Sequence, residues 1–505
     1  MTQAKALPST TIVGVLGAGT VGRSVAQTAL AAGHPVMLYD VSAEQRGAAK
    51  LAIVAAMEEL AKRGKAKDAA QRLFVIDKPD ALSKAGLVIE AVAEDLAAKR
   101  SLLATVEPSV GPDTIFGTCT AALSIAAIGS ALKRPERLLG LHLFNPSPIG
   151  SLIEVVNGIA TAEEVMAVAE ATMSAWGKTP VRSAATPGFI VSRVALPYQT
   201  EAIRILEDGG ADAATIDAVL VEAGGFATGP FALMDKIGND LSYGTATTIY
   251  RANEEDPRYR PTNLQQTLVE AGWLGKRTGR GWFDYAGGAA PPMPKDAPPG
   301  RKPTSVHVEG EPGDWEAFLA RLARGGVEVR RKDFDIGPMR LFLDDVVIQP
   351  TDGRMATQVA ASEEAFNVVL FDLALDPATT TRVALATAAQ CSQDAQALAV
   401  GLFQAAGLAV SLIGDLPGLI VARTVAMMAN EACDAVLKGV APSETIDNAV
   451  TLGLESPLGP LAWGDSLGAG KLLEILDNLR AATGEERYRA SLYLRRQALA
   501  KGTLL

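Results

Sequence analysis

The sequence predicts an α/β fold: a doubly wound (Rossmann) parallel sheet, then an all-α domain, a degenerate α/β segment and a second copy of the all-α domain. Three observations predict it. Short apolar, β-branched runs alternate with helical stretches up to position 186. A glycine-rich turn joins the first run to the first helix. Beyond position 186 long amphipathic segments dominate, and part of them recurs near the end of the chain. Alternating strands and helices favour a parallel sheet with helices on both faces.

The opening elements follow from local patterns. Residues 11–16, TIVGVL, are an apolar run that leads into glycine, which is typical of a buried parallel strand. An alanine-rich helix is predicted over 20–32, a second strand over 35–40 and a second helix over 42–63. The predicted strands continue at 72–76, 87–92, 114–119 and 138–144.

The first turn carries a nucleotide-binding pattern. Gly17, Gly19 and Gly22 form Gly-x-Gly-x-x-Gly between the first strand and helix, and Asp40 ends the second strand. In this strand–helix–strand context the glycines and the later acid together predict a dinucleotide site. Gly17 allows the tight turn, Gly19 lets the backbone approach the pyrophosphate, and Gly22 lets the helix pack close to the strand.

The residues around this turn indicate which dinucleotide binds. Thr20 and Val21 open the helix, whose N–H groups and positive dipole end favour phosphate. Asp40 is expected to accept hydrogen bonds from the adenosine ribose and to repel a 2′-phosphate, so NAD is favoured over NADP. FAD shares the pattern, and the sequence up to Asp40 does not exclude it.

The chain has 505 residues, which is enough for several domains. Residues 286–303 are rich in proline, glycine and alanine and are interpreted as a linker. The predicted domains are 1–186 (NAD-binding Rossmann domain), 187–285 (all-α), 304–416 (degenerate, truncated α/β) and 417–505 (second all-α).

The second half of the chain repeats the first. PGFIVSR at 187–193 recurs as PGLIVAR at 417–423, and the register that aligns these motifs also pairs Glu201 with Glu431 without a gap. Chance does not hold one register over such a stretch, so the helical domain is duplicated. In this register position 304 corresponds to position 74. We therefore expect 304–416 to be a decayed copy that lacks the opening strand, glycine turn and helix.

Composition excludes several classes of partner. The net charge of −10 makes a nucleic-acid partner unfavourable, because a phosphate-binding surface needs a basic excess. No uncharged apolar run is long enough to span a membrane. Cys119, Cys391 and Cys433 match no metal-ligand spacing and indicate a reduced, intracellular chain. We expect a cytoplasmic protein without a metal site.

Among the three histidines, His142 is the candidate for catalysis. His34 lies in a Gly-His-Pro turn and is expected at the surface, and His307 lies in the degenerate region. His142 stands near the end of a predicted parallel strand, at the edge where doubly wound sheets bind ligands. Glu154 lies on the next apolar segment, where the chain could return to His142. A buried carboxylate is costly unless paired, and a His–Glu pair is the general-base arrangement that a dehydrogenase needs.

Five motifs together resemble the short-chain L-3-hydroxyacyl-CoA dehydrogenase family, which includes the 3-hydroxybutyryl-CoA dehydrogenases. The motifs are GAGTVG with Asp40, IEAVAEDLAAK at 89–99, GLHLFNPSPIGSLIEVV at 140–156, TPGFIVSR at 186–193 and GKRTGRGWFDY at 275–285. They run through nearly all of 11–285. The duplicated helical domain resembles the long bacterial members, some of which serve phenylacetate or polyhydroxybutyrate pathways. The resemblance implies a place in fatty acid metabolism, as in β-oxidation, or in phenylacetate catabolism.

The resemblance also implies a reaction and roles. The reaction is the reversible, NAD-dependent oxidation of an L-3-hydroxyacyl-CoA to the 3-ketoacyl-CoA. His142 would be the base that takes the proton of the 3-hydroxyl group, and Glu154 would orient its ring and stabilise the imidazolium. Glu94, Lys99 and Asn145 match family positions that contact NAD.

Two positions depart from the family pattern. Where the family reads N-T-S-S-L-S, residues 119–124 read CTAALS, so Ala121 replaces the serine that binds the substrate oxygen. Ser192 replaces the asparagine of the family's F-I-V-N-R. Loss of one positioned donor costs roughly 3–4 kcal/mol of transition-state stabilisation. Three explanations stay open: a changed substrate, rescue by a neighbour such as Thr120 or Ser192, or weak activity. We expect an active enzyme with an altered acyl pocket formed around Thr120, Ala121 and Ser192.

Two other functions stay open at this point. A related dehydrogenase of a free hydroxy acid, of the sugar-acid type, would share the NAD turn and His142 without needing CoA. A catalytically weak homologue that binds NAD or acyl-CoA would fit the changes at Ala121 and Ser192.

The second copy cannot run the reaction alone. In the register of the repeat, Asp372 corresponds to His142 and Ala384 corresponds to Glu154. In short family members the helical domain forms the dimer interface. We therefore expect residues 417–496 to pack on 187–285 as an internal pseudo-dimer, and leave a homo-oligomer open.

Overall fold

A computed structural model describes residues 5–143, 152–331 and 337–505. The first α/β region follows the predicted alternation closely. Its elements are β1 Ile12–Leu16, α1 Thr20–Ala31, β2 Val36–Tyr39, α2 Ala43–Lys62, β3 Leu73–Ile76, β4 Ala85–Glu90, α3 Leu96–Val106, β5 Ile115–Thr118, α4 Ile125–Gly129, β6 Leu138–Leu143, β7 Leu152–Asn157, α5 Glu163–Ala175 and β8 Thr179–Ala184.

The helical regions and the second α/β region follow in turn. The first helical region holds α6 Val191–Val194, α7 Leu196–Glu207, α8 Ala213–Glu222, α9 Pro230–Ile237, α10 Asn239–Ala252 and α11 Asn263–Glu270. The second α/β region holds β9 Ser305–Glu309, α12 Glu316–Arg324, β10 Glu328–Arg331, β11 Arg340–Leu343, β12 Val346–Pro350, α13 Ala356–Ser362, β13 Asn367–Phe371, β14 Arg382–Thr387, α14 Gln393–Ala405 and β15 Ala409–Leu412. The last region holds α15 Val421–Leu437, α16 Ser443–Leu454, α17 Pro460–Leu467, α18 Ala469–Thr483 and α19 Leu492–Ala500.

The first sheet has the doubly wound order β3-β2-β1-β4-β5-β6-β7-β8. Its strands are parallel except at β6 and β7, which pair antiparallel. The core strands are apolar on both faces because helices cover the sheet on each side. This order confirms the predicted fold class.

The chain divides into two compact units. The first runs to Arg193 and includes Lys438–Gly453, and the second comprises Val194–Leu437 and Leu454–Leu505. Within the first unit, the N–H of Ala184 donates to the carbonyl oxygen of Val440 at 2.9 Å, which ties the returning segment to β8. No helix among the described residues is both long enough and apolar enough to cross a membrane.

The second sheet lies in the second unit, and only part of it corresponds to the first sheet. Its order is β10-β9-β11-β12-β13-β14-β15. From β12 onward it follows the first sheet in the register of the repeat: β14 at 382–387 corresponds to β7 at 152–157, and α14 at 393–405 to α5 at 163–175. The strands β9, β10 and β11 are different, because β9 pairs antiparallel with β11. The correspondence with the first sheet is therefore clear from about position 346 onward, and the bounds 304–416 of the degenerate α/β domain stay a prediction.

The two helical copies meet within the second unit through buried charges. Glu201 on α7 accepts hydrogen bonds from Arg423 at 2.8 Å and from the hydroxyl of Tyr488 at 2.9 Å. Its counterpart Glu431 on α15 accepts from Arg258 at 3.2 Å. These side chains are almost fully buried, so each carboxylate needs its partner from the other copy.

The segment 286–303 is held in place rather than free. The N–H of Ala297 donates to the carbonyl oxygen of Val410 at 2.7 Å, and that of Arg301 donates to Ala397 at 2.9 Å. The N–H of Gly300 donates to Gln404 Oε1 at 2.8 Å. Residues 297–301 therefore run along β15 and α14. Its composition predicts a linker because proline favours extended chain and glycine favours flexible chain, whether or not that chain is bound.

We expect Gly401→Ala to destabilise the protein even though alanine favours helices. A Cβ on Gly401, inside α14, would stand 2.2 Å from the carbonyl oxygen of Arg301, which is closer than real contacts allow. Gly244→Ala is the matched control, because no described atom lies within 4 Å of its Cβ position in α10. We expect G244A to gain up to about 1 kcal/mol and G401A to lose about 1–3 kcal/mol. Thermal unfolding measures both, and a G401A variant at least as stable as the wild type would contradict this packing.

Candidate active site

The glycine turn of the first unit has the geometry of a phosphate-binding loop. Gly17 has φ +109° and a Cβ there would stand 2.5 Å from the carbonyl oxygen of Ala91. A Cβ on Gly22 would stand 1.9 Å from the carbonyl oxygen of Gly17. Around Gly19 the space is open, since no described atom lies within 4 Å of its Cβ position. The first and third glycines thus close the turn, and the second leaves its backbone open to a ligand.

The N-terminal end of helix α1 adds backbone N–H donors to this turn. Its N-cap is Gly19, and no described side chain caps it. Thr20 and Val21 in its first turn are exposed, and their N–H groups lie among those that a helix leaves without partners. A positive helix end with open N–H groups fits a pyrophosphate.

Asp40 ties the turn to the end of β2. One carboxylate oxygen accepts from the N–H of Ala18 at 2.8 Å, and the other from the N–H of Ser42 at 2.9 Å. The residue is half-buried, so the side chain also meets solvent at the edge of the sheet. The structure therefore gives Asp40 a role in shaping the turn, besides the ribose contact predicted from sequence.

The strongest feature of the site is a histidine–carboxylate pair. His142 on β6 and Glu154 on β7 stand directly opposite each other in the antiparallel ladder. The Nδ1 atom of His142 lies 2.5 Å from Oε2 of Glu154. The Glu154 side chain is fully buried and that of His142 is 12% exposed. Since β6 is parallel to β5, the pair lies at the carboxyl edge of the parallel strands.

Glu154 also binds the loop that follows β8. Its Oε1 accepts hydrogen bonds from the N–H groups of Ile190 at 2.8 Å and Val191 at 3.0 Å. Phe189 has φ +49°, a left-handed conformation uncommon for a bulky residue. Its ring packs edge-on to the His142 ring at 5.8 Å. The carboxylate therefore holds the histidine and a strained turn at once.

The second copy keeps this turn but not the histidine. Leu419 has φ +51° and corresponds to Phe189. Asp372, at the histidine position, accepts from the N–H groups of Ile420 and Val421 at 2.8 and 2.7 Å. Ala384 fills the position of Glu154. In the second copy the carboxylate that binds the turn therefore comes from the strand that corresponds to β6, not from the one that corresponds to β7. It stabilises the turn although this copy has no histidine to act as a base.

The end of β4 and the start of α3 carry further charged side chains. The ammonium group of Lys99 is fully buried, 2.9 Å from Glu90 Oε1 and 3.5 Å from Glu94 Oε2. Glu94 Oε1 accepts from the hydroxyl of Thr120 at 2.5 Å and from the N–H of Ala121 at 3.0 Å. Sequence reasoning missed Glu90. A carboxylate that ends an otherwise apolar strand was the available signal.

The geometry changes the interpretation of Thr120. Its hydroxyl donates to Glu94 and also accepts from the N–H groups of Ala122 at 3.3 Å and Leu123 at 2.9 Å. The side chain is fully buried. Because one hydroxyl has one hydrogen and two lone pairs, these contacts use its full capacity. The structure therefore disfavours Thr120 as the replacement donor to the substrate.

The remaining candidates are placed as follows. Ala121 and Ser192 are half-buried, and Ser192 lies on the short helix α6. Asn145 lies outside the described residues. Burial raises the pKa of the Cys119 thiol far above its usual range, and the charge of Glu90 adds to this, so the thiol stays protonated.

The expectation for His34 was wrong. The residue is 3% exposed, with Nδ1 3.0 Å from the carbonyl oxygen of Thr11 and its ring against Trp176. The turn composition suggested a surface position, but helix α5 covers it. His307 is exposed on β9. Among the described residues, no group of histidine, cysteine and carboxylate side chains could hold a metal ion.

Comparison with known proteins gives a consistent result. A family model described as the 3-hydroxyacyl-CoA dehydrogenase NAD-binding domain matches residues 12–186. The model of the C-terminal domain of 3-hydroxyacyl-CoA dehydrogenase matches twice, at 188–285 and 418–503. A 3-hydroxybutyryl-CoA dehydrogenase reduced Rossmann-fold domain matches 348–417.

Individual relatives agree. The chain is 39% identical over 493 residues to 3-hydroxyadipyl-CoA dehydrogenase of Escherichia coli (strain K12), covering 96% of this chain and 97% of the relative. A crystal structure of 3-hydroxybutyryl-CoA dehydrogenase from Escherichia coli K12 aligns with TM-score 0.85 and 38% identity, over 98% of this chain and 99% of that one. Human mitochondrial hydroxyacyl-coenzyme A dehydrogenase is 33% identical over 284 residues, 54% of this chain and 90% of the human one.

A doubly wound sheet with an NAD-type glycine turn, and a histidine–glutamate pair at its carboxyl edge, define an NAD-dependent oxidoreductase. The chain belongs to the 3-hydroxyacyl-CoA dehydrogenase family, and the region 12–186 forms its NAD-binding domain. A second helical domain and a reduced Rossmann-fold region follow the part of the chain that aligns with shorter relatives such as the human enzyme.

Proposed function

We propose that this protein catalyses the reversible, NAD-dependent oxidation of an L-3-hydroxyacyl-CoA to the 3-ketoacyl-CoA. The observation that carries the proposal is the 2.5 Å contact between His142 Nδ1 and Glu154 Oε2 at the carboxyl edge of the NAD-binding sheet. Membership of the family supports the substrate class.

His142 is proposed as the general base. With Nδ1 donating to Glu154, Nε2 is the ring nitrogen that takes the proton of the 3-hydroxyl group. Bound NAD supplies the hydride acceptor for the C3 hydrogen. Glu154 is buried, so its charge stabilises the imidazolium as it forms. In the reverse direction the same imidazolium returns the proton to the reduced carbonyl.

Other residues are proposed to bind the two ligands. Gly17, Gly19, Gly22 and the first turn of α1 hold the pyrophosphate, and Asp40 holds the adenosine ribose. The proposed contacts to the rest of NAD are Glu94, Lys99 and Asn145, with Lys99 acting through Glu94 because its ammonium group is buried.

The acyl pocket is proposed to include Ala121 and Ser192. Ala121 brings no hydroxyl group to the substrate, and Ser192 has a shorter side chain than the asparagine of the family pattern. A longer or carboxylated acyl group is therefore the proposed substrate, in line with the name of the 3-hydroxyadipyl-CoA dehydrogenase relative.

An NADH-consumption assay tests the substrate class. We expect turnover with acetoacetyl-CoA and with longer or carboxylated 3-ketoacyl-CoAs, and a kcat/KM at least about 100-fold lower with the free 3-keto acids, because CoA contacts contribute to transition-state binding. Faster reduction of the free acids would favour the sugar-acid type of dehydrogenase. NADH binding without turnover of any thioester would favour the catalytically weak homologue.

We also propose that the helical copies form an internal pseudo-dimer. The reciprocal ion pairs of Glu201 and Glu431 support it. A chain that ends near position 290 would leave α7 uncovered and Glu201 without Arg423. We expect it to self-associate or precipitate in gel filtration, and a clean, soluble monomer would count against the proposal. We also propose that the protein is located in the cytoplasm, and the formation of a homo-oligomer stays open.

A further inference from the structure

In the first unit a series of hydrogen-bonded polar side chains connects Glu94 to the buried core. Thr118 at the end of β5 donates to Glu90 Oε2 at 2.6 Å. Glu90 Oε1 accepts from Lys99 at 2.9 Å, and the same ammonium group lies 3.5 Å from Glu94 Oε2. Glu90 and Lys99 are fully buried, whereas the Glu94 side chain is 38% exposed. The chain thus leads from the core to the surface at one exposed carboxylate.

We propose that Glu90 is a positioning residue for cofactor binding: through Lys99 it fixes the orientation of Glu94. This rests on the proposed function, in which Glu94 contacts NAD. Glu90 need not touch either ligand to do so.

The charges in the chain argue for positioning. Two carboxylates, Glu90 and Glu94, share the single ammonium group of Lys99. One buried carboxylate would suffice to neutralise Lys99, so the contact with Glu94 is additional. It holds one oxygen of Glu94, while the hydroxyl of Thr120 and the N–H of Ala121 hold the other. An exposed carboxylate held at both oxygens has lost its rotamer freedom before the ligand arrives.

Glu90→Gln tests the proposal. The amide oxygen can take the Oε1 position and still accept from the N–H of Val92 and from Lys99, but the negative charge that balances the ammonium group is lost. The ammonium group then attracts Glu94 alone and draws it from Thr120. We expect the Kd for NADH, measured by fluorescence titration, to rise about tenfold or more, as loss of a hydrogen bond to a charged group implies. Thermal stability should also fall.

A second variant separates positioning from mere stability. Combining Glu90→Gln with Lys99→Met removes both buried charges, so stability should recover. Under the proposal the Kd stays high, because nothing then holds the outer oxygen of Glu94. Glu107→Gln is the matched control. It breaks a comparable buried pair with Arg137, at 3.0 Å, and should lower stability but leave the Kd unchanged.

The outcomes are distinct. A raised Kd in both Glu90 variants with a normal Kd in E107Q supports positioning. A Kd that recovers with stability in the double variant, or stays normal in E90Q, overturns it. If E90Q does not fold, the isosteric Thr118→Val carries the test, with a smaller rise in Kd expected and a normal Kd overturning the proposal. Wild-type protein that binds NADH but turns over no thioester would reject the proposed reaction and leave this test intact.

Discussion

His142→Ala is expected to lower kcat for 3-ketoacyl-CoA reduction by about 10²–10⁴-fold, the usual contribution of a positioned general acid or base. The reason is local. The ring lies at the carboxyl edge of the sheet, and its Nδ1 is already paired with Glu154. Alanine removes the proton carrier and leaves the glycine turn unchanged. The Kd for NADH should therefore stay close to the wild-type value.

His307→Ala is the control for this loss, because that imidazole is exposed on β9. Its kcat should equal that of the wild type. Steady-state kinetics with one thioester and NADH gives both comparisons. If H142A turned over at the wild-type rate, another group would have to be the base and the proposed mechanism would be wrong.

The sequence was sufficient for the features that local patterns determine. The six strands up to position 143 and the helices α1 and α2 follow from local sequence patterns, and the glycine turn follows from its spacing. The contact of His142 with Glu154 followed from an apolar segment that returns beside β6, since a hairpin places facing residues in register.

Other features depend on contacts that the sequence does not display. The full use of the Thr120 hydroxyl depends on the position of Glu94, which lies on another segment. The binding of 286–303 along α14 depends on a close approach between Gly300 and Gly401. Burial of His34 depends on Trp176, at the end of α5. Each is a long-range contact, and no periodicity reports such a contact.

The second large effect is expected from Glu154→Gln, which should lower kcat by up to about 10⁴-fold, the loss seen where an amide forces the wrong histidine tautomer in a serine-protease triad. The amide oxygen can still accept from the N–H groups of Ile190 and Val191. The NH₂ group then faces Nδ1 of His142, which must become an acceptor. The proton moves to Nε2, and the nitrogen that should take the substrate proton is blocked.

Glu154→Ala should differ from Glu154→Gln in stability rather than in kcat. Alanine leaves the buried N–H groups of Ile190 and Val191 without their carboxylate, and each such group costs about 1–3 kcal/mol. Thermal unfolding should place E154Q between the wild type and E154A. Equal stability of E154Q and E154A would show that the carboxylate does not hold the turn.

The duplicated copy offers a test of this separation inside the same chain. Asp372 binds the matching turn through the N–H groups of Ile420 and Val421, but it replaces the histidine itself, and Ala384 replaces Glu154. Asp372→Ala should therefore lower the unfolding temperature, as is expected for Glu154→Ala. At temperatures where the variant stays folded, its kcat should equal that of the wild type. The comparison separates two roles of Glu154. A carboxylate stabilises the turn in both copies, and only in the first copy does it also orient a histidine that acts as the base. A large loss of kcat in D372A would mean that the second copy takes part in the chemistry.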